Sequence, residues 1–117
     1  MIRERQVVLF RFPQTNQASG KLRPALVIRN LPGPHNDWLI CMISSQLSQE
    51  VLDFDEIISE KDDDFILSGL KQTSLIRIGR LAVVDQKILL GAIGEIDAAR
   101  LERIKKRISD WLMGRKR

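Results

Sequence analysis

At Asp97 the hydrophobic period of the chain changes, and this switch constrains the fold more than any other feature. Beyond it, Leu101, Ile104, Ile108, Trp111 and Leu112 recur at helical spacing, which is the single apolar stripe of an amphipathic helix. Asp97 stands where an N-cap acceptor is expected. Arg100, Arg103, Lys105, Lys106 and Arg107 occupy most of the remaining surface, weighted toward the end that suits the helix dipole. That basic face reads as a solvated surface. Before Asp97 the chain runs in short β-branched and aromatic bursts bounded by turn residues. Val7 to Phe12 is the first, halted by Pro13; Pro24 to Asn30 is the second and Trp38 to Ser44 the third. Ser74 to Ile78, Leu81 to Val84 and Ile88 to Ile96 follow, the last punctuated by Gly91 and Gly94. Between them, Gln49 to Asp64 is mixed and acidic and reads as an edge strand plus an exposed loop. Short strands at close spacing ending in one helix predict a mainly β protein with α, a small, curved, mostly antiparallel sheet or barrel carrying a C-terminal amphipathic helix.

With 117 residues, no repeat and no long linker, residues 1–117 are expected to form one domain with a modest core. No apolar run approaches the ~20 residues of a membrane span. Met1 to Gln6 lead into a strand-like segment, not a signal-peptide apolar region. The single cysteine, Cys41, excludes an intramolecular disulfide and suits a reducing cytoplasm; within its apolar strand it reads as a small core residue. Charge is segregated. Residues 1–30 hold six Lys or Arg against one Glu, residues 31–70 nine acids against Lys61, and residues 71–117 twelve cations against five acids. A net charge of +4 distributed in this way favours a polyanionic partner over a membrane surface.

Enzymatic constellations are sparse. His35 is the only histidine and sits in the proline-rich turn Leu31 to Asp37. There is no Cys/His cluster for zinc, no Gly-rich phosphate loop between strand and helix, and no row of aromatics for base stacking. Asp62-Asp63-Asp64 lacks calcium-loop spacing and reads as a solvated acidic loop. No metal and no cofactor are expected. Two segments do carry polar chemistry. In Ser19-Gly20-Lys21-Leu22-Arg23-Pro24, the proline biases Arg23 toward an extended backbone, so its side chain projects from a strand entry. In Ser44-Ser45-Gln46, an apolar strand ends abruptly in two hydroxyls and an amide. Antiparallel pairing of the second and third strands would bring Arg23 and Ser44 to one sheet edge. A guanidinium fork beside a hydroxyl suits a phosphodiester, although each group alone is common at strand ends.

Val7-Val8-Leu9-Phe10-Arg11-Phe12-Pro13, Lys21-Leu22-Arg23-Pro24-Ala25-Leu26-Val27-Ile28 and Ile43-Ser44-Ser45-Gln46 occur in an order and spacing that resembles the MazF/PemK toxins of type II toxin–antitoxin systems. Gly69 to Ser74 and Leu89 to Gly94 extend the likeness, which runs from about Gln6 to Leu112. The resemblance implies an SH3-like small barrel, usually dimeric, and a cytoplasmic mRNA interferase. Such an enzyme is a metal-independent endoribonuclease that cuts single-stranded RNA with the ribose 2′-OH as nucleophile, leaving a 2′,3′-cyclic phosphate and a 5′-OH. It also implies an acidic antitoxin partner and growth arrest when that partner is lost. Carried over by position, Arg23 and Ser44 become the catalytic pair. Ser19, Gly20, Lys21, Ser45, Gln46 and Arg80 become RNA-binding, and Asn16 to Lys21 matches the mobile loop over the RNA channel. The chain departs from the family at Arg5-Gln6, where a Gly-Asp pair is usual, at Ser44, where threonine is usual, and at Gly79-Arg80, where Glu-Gln or Asp-Gln is common. A catalytically inactive antitoxin- or nucleic-acid-binding relative, or a gyrase-poisoning toxin on the same barrel, are the competing readings.

Overall fold

The structure is a computed structural model describing residues 1–11 and 21–115. The expected strand end at Phe12 and Pro13, the loop from Asn16 through Gly20, and the last two residues lie outside the described residues. Strands β1 (Gln6–Arg11), β2 (Leu22–Asn30) and β3 (Asp37–Ser44) form an antiparallel set. The proline-rich turn between β2 and β3 closes with the Leu31 N–H donating to the Asp37 carbonyl at 2.9 Å. Three later strands, β4 (Glu56–Ile58), β5 (Ser74–Asp85) and β6 (Leu89–Glu95), complete a six-stranded sheet in the order β4-β5-β3-β2-β1-β6. All pairings are antiparallel. With β4 and β6 as edges the sheet does not close, an arrangement compatible with the expected barrel-like class. Two helices follow the pattern of the chain, the single-turn α1 (Phe65–Ser68) and the C-terminal α2 (Ala98–Leu112).

Period-2 alternation sorts the central strands into two cores. Val7, Leu26, Ile28, Cys41 and Ile43 pack with Leu101, Ile104 and Ile108 of α2. Their neighbours Val8, Phe10, Ala25, Val27, Trp38 and Ile40 pack on the opposite side with Leu89. At ~0.8 kcal/mol per buried methylene, burial of both faces of β2 and β3 supplies the main driving force for the fold. Desolvation pushes the buried Cys41 thiol up, with the Asp55 charge adding to it, as befits a core residue.

Three expectations are corrected by the tertiary arrangement. Ser74 to Ile78 and Leu81 to Val84 are one strand, β5, interrupted by an irregularity where Cys41 pairs with Leu81 but Met42 pairs with Arg77. The acidic stretch supplies the expected edge strand, β4, but it is not simply a solvated loop around it: Asp55, Glu56 and Asp64 are buried. The basic face of α2 is correspondingly not simply solvated. Arg100, Arg103 and Arg107, at i, i+3 and i+7 on one stripe, all reach Glu56 at 2.9, 3.3 and 3.1 Å. Arg100 also meets Asp62 at 3.0 Å and Asp64 at 2.8 Å. Asp97 occupies the N-cap position as expected, but its side chain makes no cap hydrogen bond. Its own N–H donates instead to Asp64 Oδ2 at 2.9 Å.

One local feature sets the lip of the site. Helix α1 ends in Gly69 at φ 76°, a left-handed C-cap, directly against β6. A Cβ on Gly69 would strike the Ile93 carbonyl, and one on Gly94 the Leu67 carbonyl. Only glycine allows this approach, which carries the following segment, Leu70 to Thr73, to the end of the sheet.

Candidate functional site

Alternation also decides which polar side chains meet. On β2, Arg23 shares the face of Ala25 and Val27; on β3, Ser44 shares the face of Ile40 and Met42. Continuing the Ala25–Met42 register by two residues places Arg23 opposite Ser44. The pair lies where two grooves meet. One, of about 420 Å³, is lined by Arg23, Met42, Ile43, Ser44, Gln46, Gln49, Arg77 and Arg80. The other, of about 340 Å³, shares Arg23, Ile43 and Ser44 and continues along Ser45, Gly69, Leu70, Lys71, Gln72 and Ser74. Among the described residues no carboxylate lines either groove.

The hydroxyl of Ser44 accepts the Gln46 N–H at 3.0 Å. This turn fixes its oxygen and leaves its own proton to donate outward. Arg23 is exposed and has no ion-pair partner among the described residues. Exposed Lys71 and Arg80 and half-buried Arg77 likewise have no ion-pair partner among the described residues. The cations with intramolecular carboxylates lie elsewhere: Arg3 and Arg5 share Glu95, Lys105 holds Glu4 at 2.6 Å, Lys106 holds Asp110, and the helix arginines hold the acidic segment. Folding therefore neutralises the basic helix and leaves a cationic groove unneutralised. That groove is a ready anion site, because a guanidinium without a carboxylate neighbour keeps its donors for a ligand.

Of the residues expected from sequence, the structure brings Arg23, Ser44, Ser45, Gln46 and Arg80 to the two grooves. Lys21 is exposed beside the start of β2 and lines neither. Ser19 and Gly20 lie outside the described residues. His35 is exposed in its turn and lines neither groove. Arg77 was not anticipated. Its signal was a lone cation inside the apolar run Leu75-Ile76-Arg77-Ile78, where alternation turns one side chain out of the core. Lys71, Gln72 and Gln49 carried no such signal, since only the packing of α1 on β6 and the turn after β3 bring them in.

Residues 3–112 match the family model described as PemK-like, MazF-like toxin of type II toxin-antitoxin system. The chain belongs to that family. The match spans all six strands and α2, so the grooves at Arg23 and Ser44 are built wholly from family elements. No curated protein matches the toxin at a significant level. Membership implies an antitoxin as partner of the toxin. No helix among the described residues is long and apolar enough to cross a membrane.

Proposed function

We propose that the toxin is an endoribonuclease that cuts single-stranded RNA at the junction of the two grooves. The observation that carries this reading is the pairing of Arg23 and Ser44, uncompensated by any carboxylate among the described residues, at a point from which two grooves lead away. A bound strand would lie along both grooves with one phosphate at the junction. The Arg23 fork donates to its non-bridging oxygens, and the Ser44 O–H donates alongside. The ribose 2′-oxygen attacks phosphorus as its proton passes to solvent water, forming the new O–P bond. The bond to the 5′-oxygen breaks, and that oxygen takes up a proton from solvent. The products are a 2′,3′-cyclic phosphate and a 5′-OH. Donors preset around the five-coordinate phosphate stabilise the charge that develops there. The groups required are positioned donors, which is why neither a histidine pair nor a metal enters the scheme. Dependence on the 2′-OH excludes DNA as a substrate for cleavage.

In the same reading the toxin acts in the cytoplasm as a homodimer. An acidic antitoxin segment lying over the cationic groove would cover Arg23 and shut the reaction off. The test is incubation of purified toxin with a long single-stranded RNA in EDTA. Cleavage is expected, lost when the nucleotide at the cut carries 2′-deoxyribose and lost in Arg23→Ala. Intact RNA, or wild-type cleavage by Arg23→Ala, would overturn the proposal.

A further inference from the structure

Strand β5 changes faces part-way along. Ile76 and Ile78 belong to the core beneath α2, whereas Ala82 and Val84, of the same parity, pack into the opposite core. The change occurs between Arg77, opposite Met42, and Leu81, opposite Cys41, so Ile78, Gly79 and Arg80 have no counterpart on β3. This enlarged bulge has a direct effect on the site. Arg77 and Arg80 are an odd number of residues apart and on a regular strand would point to opposite faces. Here both line the groove that holds Arg23 and Ser44.

The bulge also lacks support from the other side. The β4 ladder reaches Ile76, opposite Glu56, and goes no further. Immediately before β4, the buried carboxylate of Asp55 takes over. Its Oδ1 accepts the Ile78 N–H at 3.0 Å and its Oδ2 accepts the Val51 N–H at 2.9 Å. Asp55 is in turn held to the helix, because Arg107 Nη1 donates to the Phe54 and Asp55 carbonyls at 3.2 and 2.9 Å. Without that carboxylate the Ile78 N–H would be buried with no acceptor. The strand would relieve this by letting the bulge slip, and a one-residue slip moves a side chain to the other face.

We propose that Asp55 is a positioning residue. By holding the Ile78 N–H it fixes the bulge that turns Arg77 and Arg80 together into the groove, as a clamp for the backbone phosphate neighbouring the one at Arg23 and Ser44. The identity of the ligand rests on the proposed RNA reading; the clamp itself is a property of β5 and can be probed without cleavage.

The probe is a fluorescent single-stranded 2′-deoxyoligonucleotide, with Kd measured by anisotropy across a salt series. Asp55→Ala is expected to weaken binding about tenfold or more and to flatten the log Kd against log salt slope by about 0.7 to 1.4, one or two phosphate contacts on a single strand. Asp55→Asn, which keeps an acceptor for Ile78, restores most of the slope. Asp55→Ala adds no further loss to Arg77→Ala/Arg80→Ala, since the variants remove one unit. Should Asp55→Ala not fold, Asp55→Glu replaces it with the same expectation, because one extra methylene displaces both acceptors. An unchanged slope with only a lower melting temperature, or losses that add, would overturn the proposal, as would a wild-type protein that binds no oligonucleotide. A wild type that binds the probe but leaves RNA intact, with the slope still falling in Asp55→Ala, sustains the clamp and removes the nuclease reading alone.

Discussion

The guanidinium of Arg100 grips Asp64 side-on, Nε donating to one carboxylate oxygen at 2.8 Å and Nη2 to the other at 3.0 Å. Around this pair Glu56 accepts from Arg100 Nη1 at 2.9 Å, and the Ile57 carbonyl accepts from the same nitrogen at 3.1 Å. Helix α2 is thus joined to the acidic segment and to edge strand β4 through one buried cation. Burial pulls the guanidinium down, but the hydrogen bond and charge of Asp64, with Asp62 and Glu56, outweigh it and raise it further above its ordinary range. Among the described residues no buried side-chain nitrogen or oxygen lacks a partner.

Replacing Arg100 with alanine leaves Asp64 and Glu56 buried without their principal counter-charge. The expected loss is ~3–5 kcal/mol of unfolding free energy, read from urea denaturation at neutral pH. Arg100→Lys keeps the charge but not the fork and should fall between. A loss within about 0.5 kcal/mol, the range of ordinary surface substitutions, would show that this network does not hold α2 in place.

The same network sets a pH dependence. Burial pushes the Asp64 carboxyl up, while its bonds and charge contact with Arg100 and the Asp97 N–H more than offset this, leaving it below its ordinary value of 3.8. The folded-state value is therefore the lower of the two. The stabilisation is fully present above about pH 4 and is lost as the pH falls through the unfolded and then the folded value. Denaturation curves from pH 6 to pH 2.5 should show stability falling below pH 4, with a shallower fall in Asp64→Asn. Equal acid slopes in both proteins would remove Asp64 from this account.

Ser44 should behave as a donor and not as a structural residue. Ser44→Ala is expected to lower RNA cleavage ~10²–10³-fold, the usual cost of removing one preset donor to a developing charge. Ser44→Thr should keep most activity, since the hydroxyl is retained. Thermal melting should change little in either. Full activity in Ser44→Ala would take the hydroxyl out of the reaction.

At Gly94 an added methyl has nowhere to go, because it meets the Leu67 carbonyl and the Ser68 backbone. Gly94→Ala should destabilise by at least ~1–3 kcal/mol, an overpacking cost. It should also impair RNA binding, since α1 leads into Lys71 and Gln72 of the groove. A protein of wild-type stability and affinity would show that α1 moves away without consequence.

Cys41 should resist labelling in the folded protein. Burial and the nearby Asp55 charge raise its thiol well above the ordinary range, so almost no thiolate is available. A thiol reagent at pH 8 should react far more slowly with native protein than in urea. Equal rates in the two conditions would contradict its place in the core.

Where the physical signal was local, sequence and structure coincide. The first three strands were readable because β-branched runs end at proline and at polar turns, and α2 because Leu101, Ile104 and Ile108 repeat at one helical period. The Arg23–Ser44 juxtaposition was also legible, since antiparallel neighbours joined by a short turn leave little freedom in register. Strand β5 was misread as two because Gly79-Arg80 looks like a turn, and only pairing with β3 reveals a bulge inside one strand. The edge strand of the acidic segment was legible, but the burial of its acids was not, for a different reason. Its carboxylates are stabilised by arginines roughly forty residues away, and a contact at that separation leaves no pattern in either stretch.

By itself, the sequence determined the alternation of the central strands, the apolar stripe of α2, the family, and the placement of Arg23 and Ser44 at neighbouring strand ends. The tertiary structure alone decided which charges remain available. The helix arginines and the acidic segment neutralise one another because folding brings them within 2.8 to 3.3 Å. Arg23, Arg77, Arg80 and Lys71 are brought to adjoining grooves with no acid among the described residues that line them. Period and propensity act between near neighbours in the chain. Charge compensation acts through space, so a cation's freedom to meet a ligand is settled only when the chain has closed.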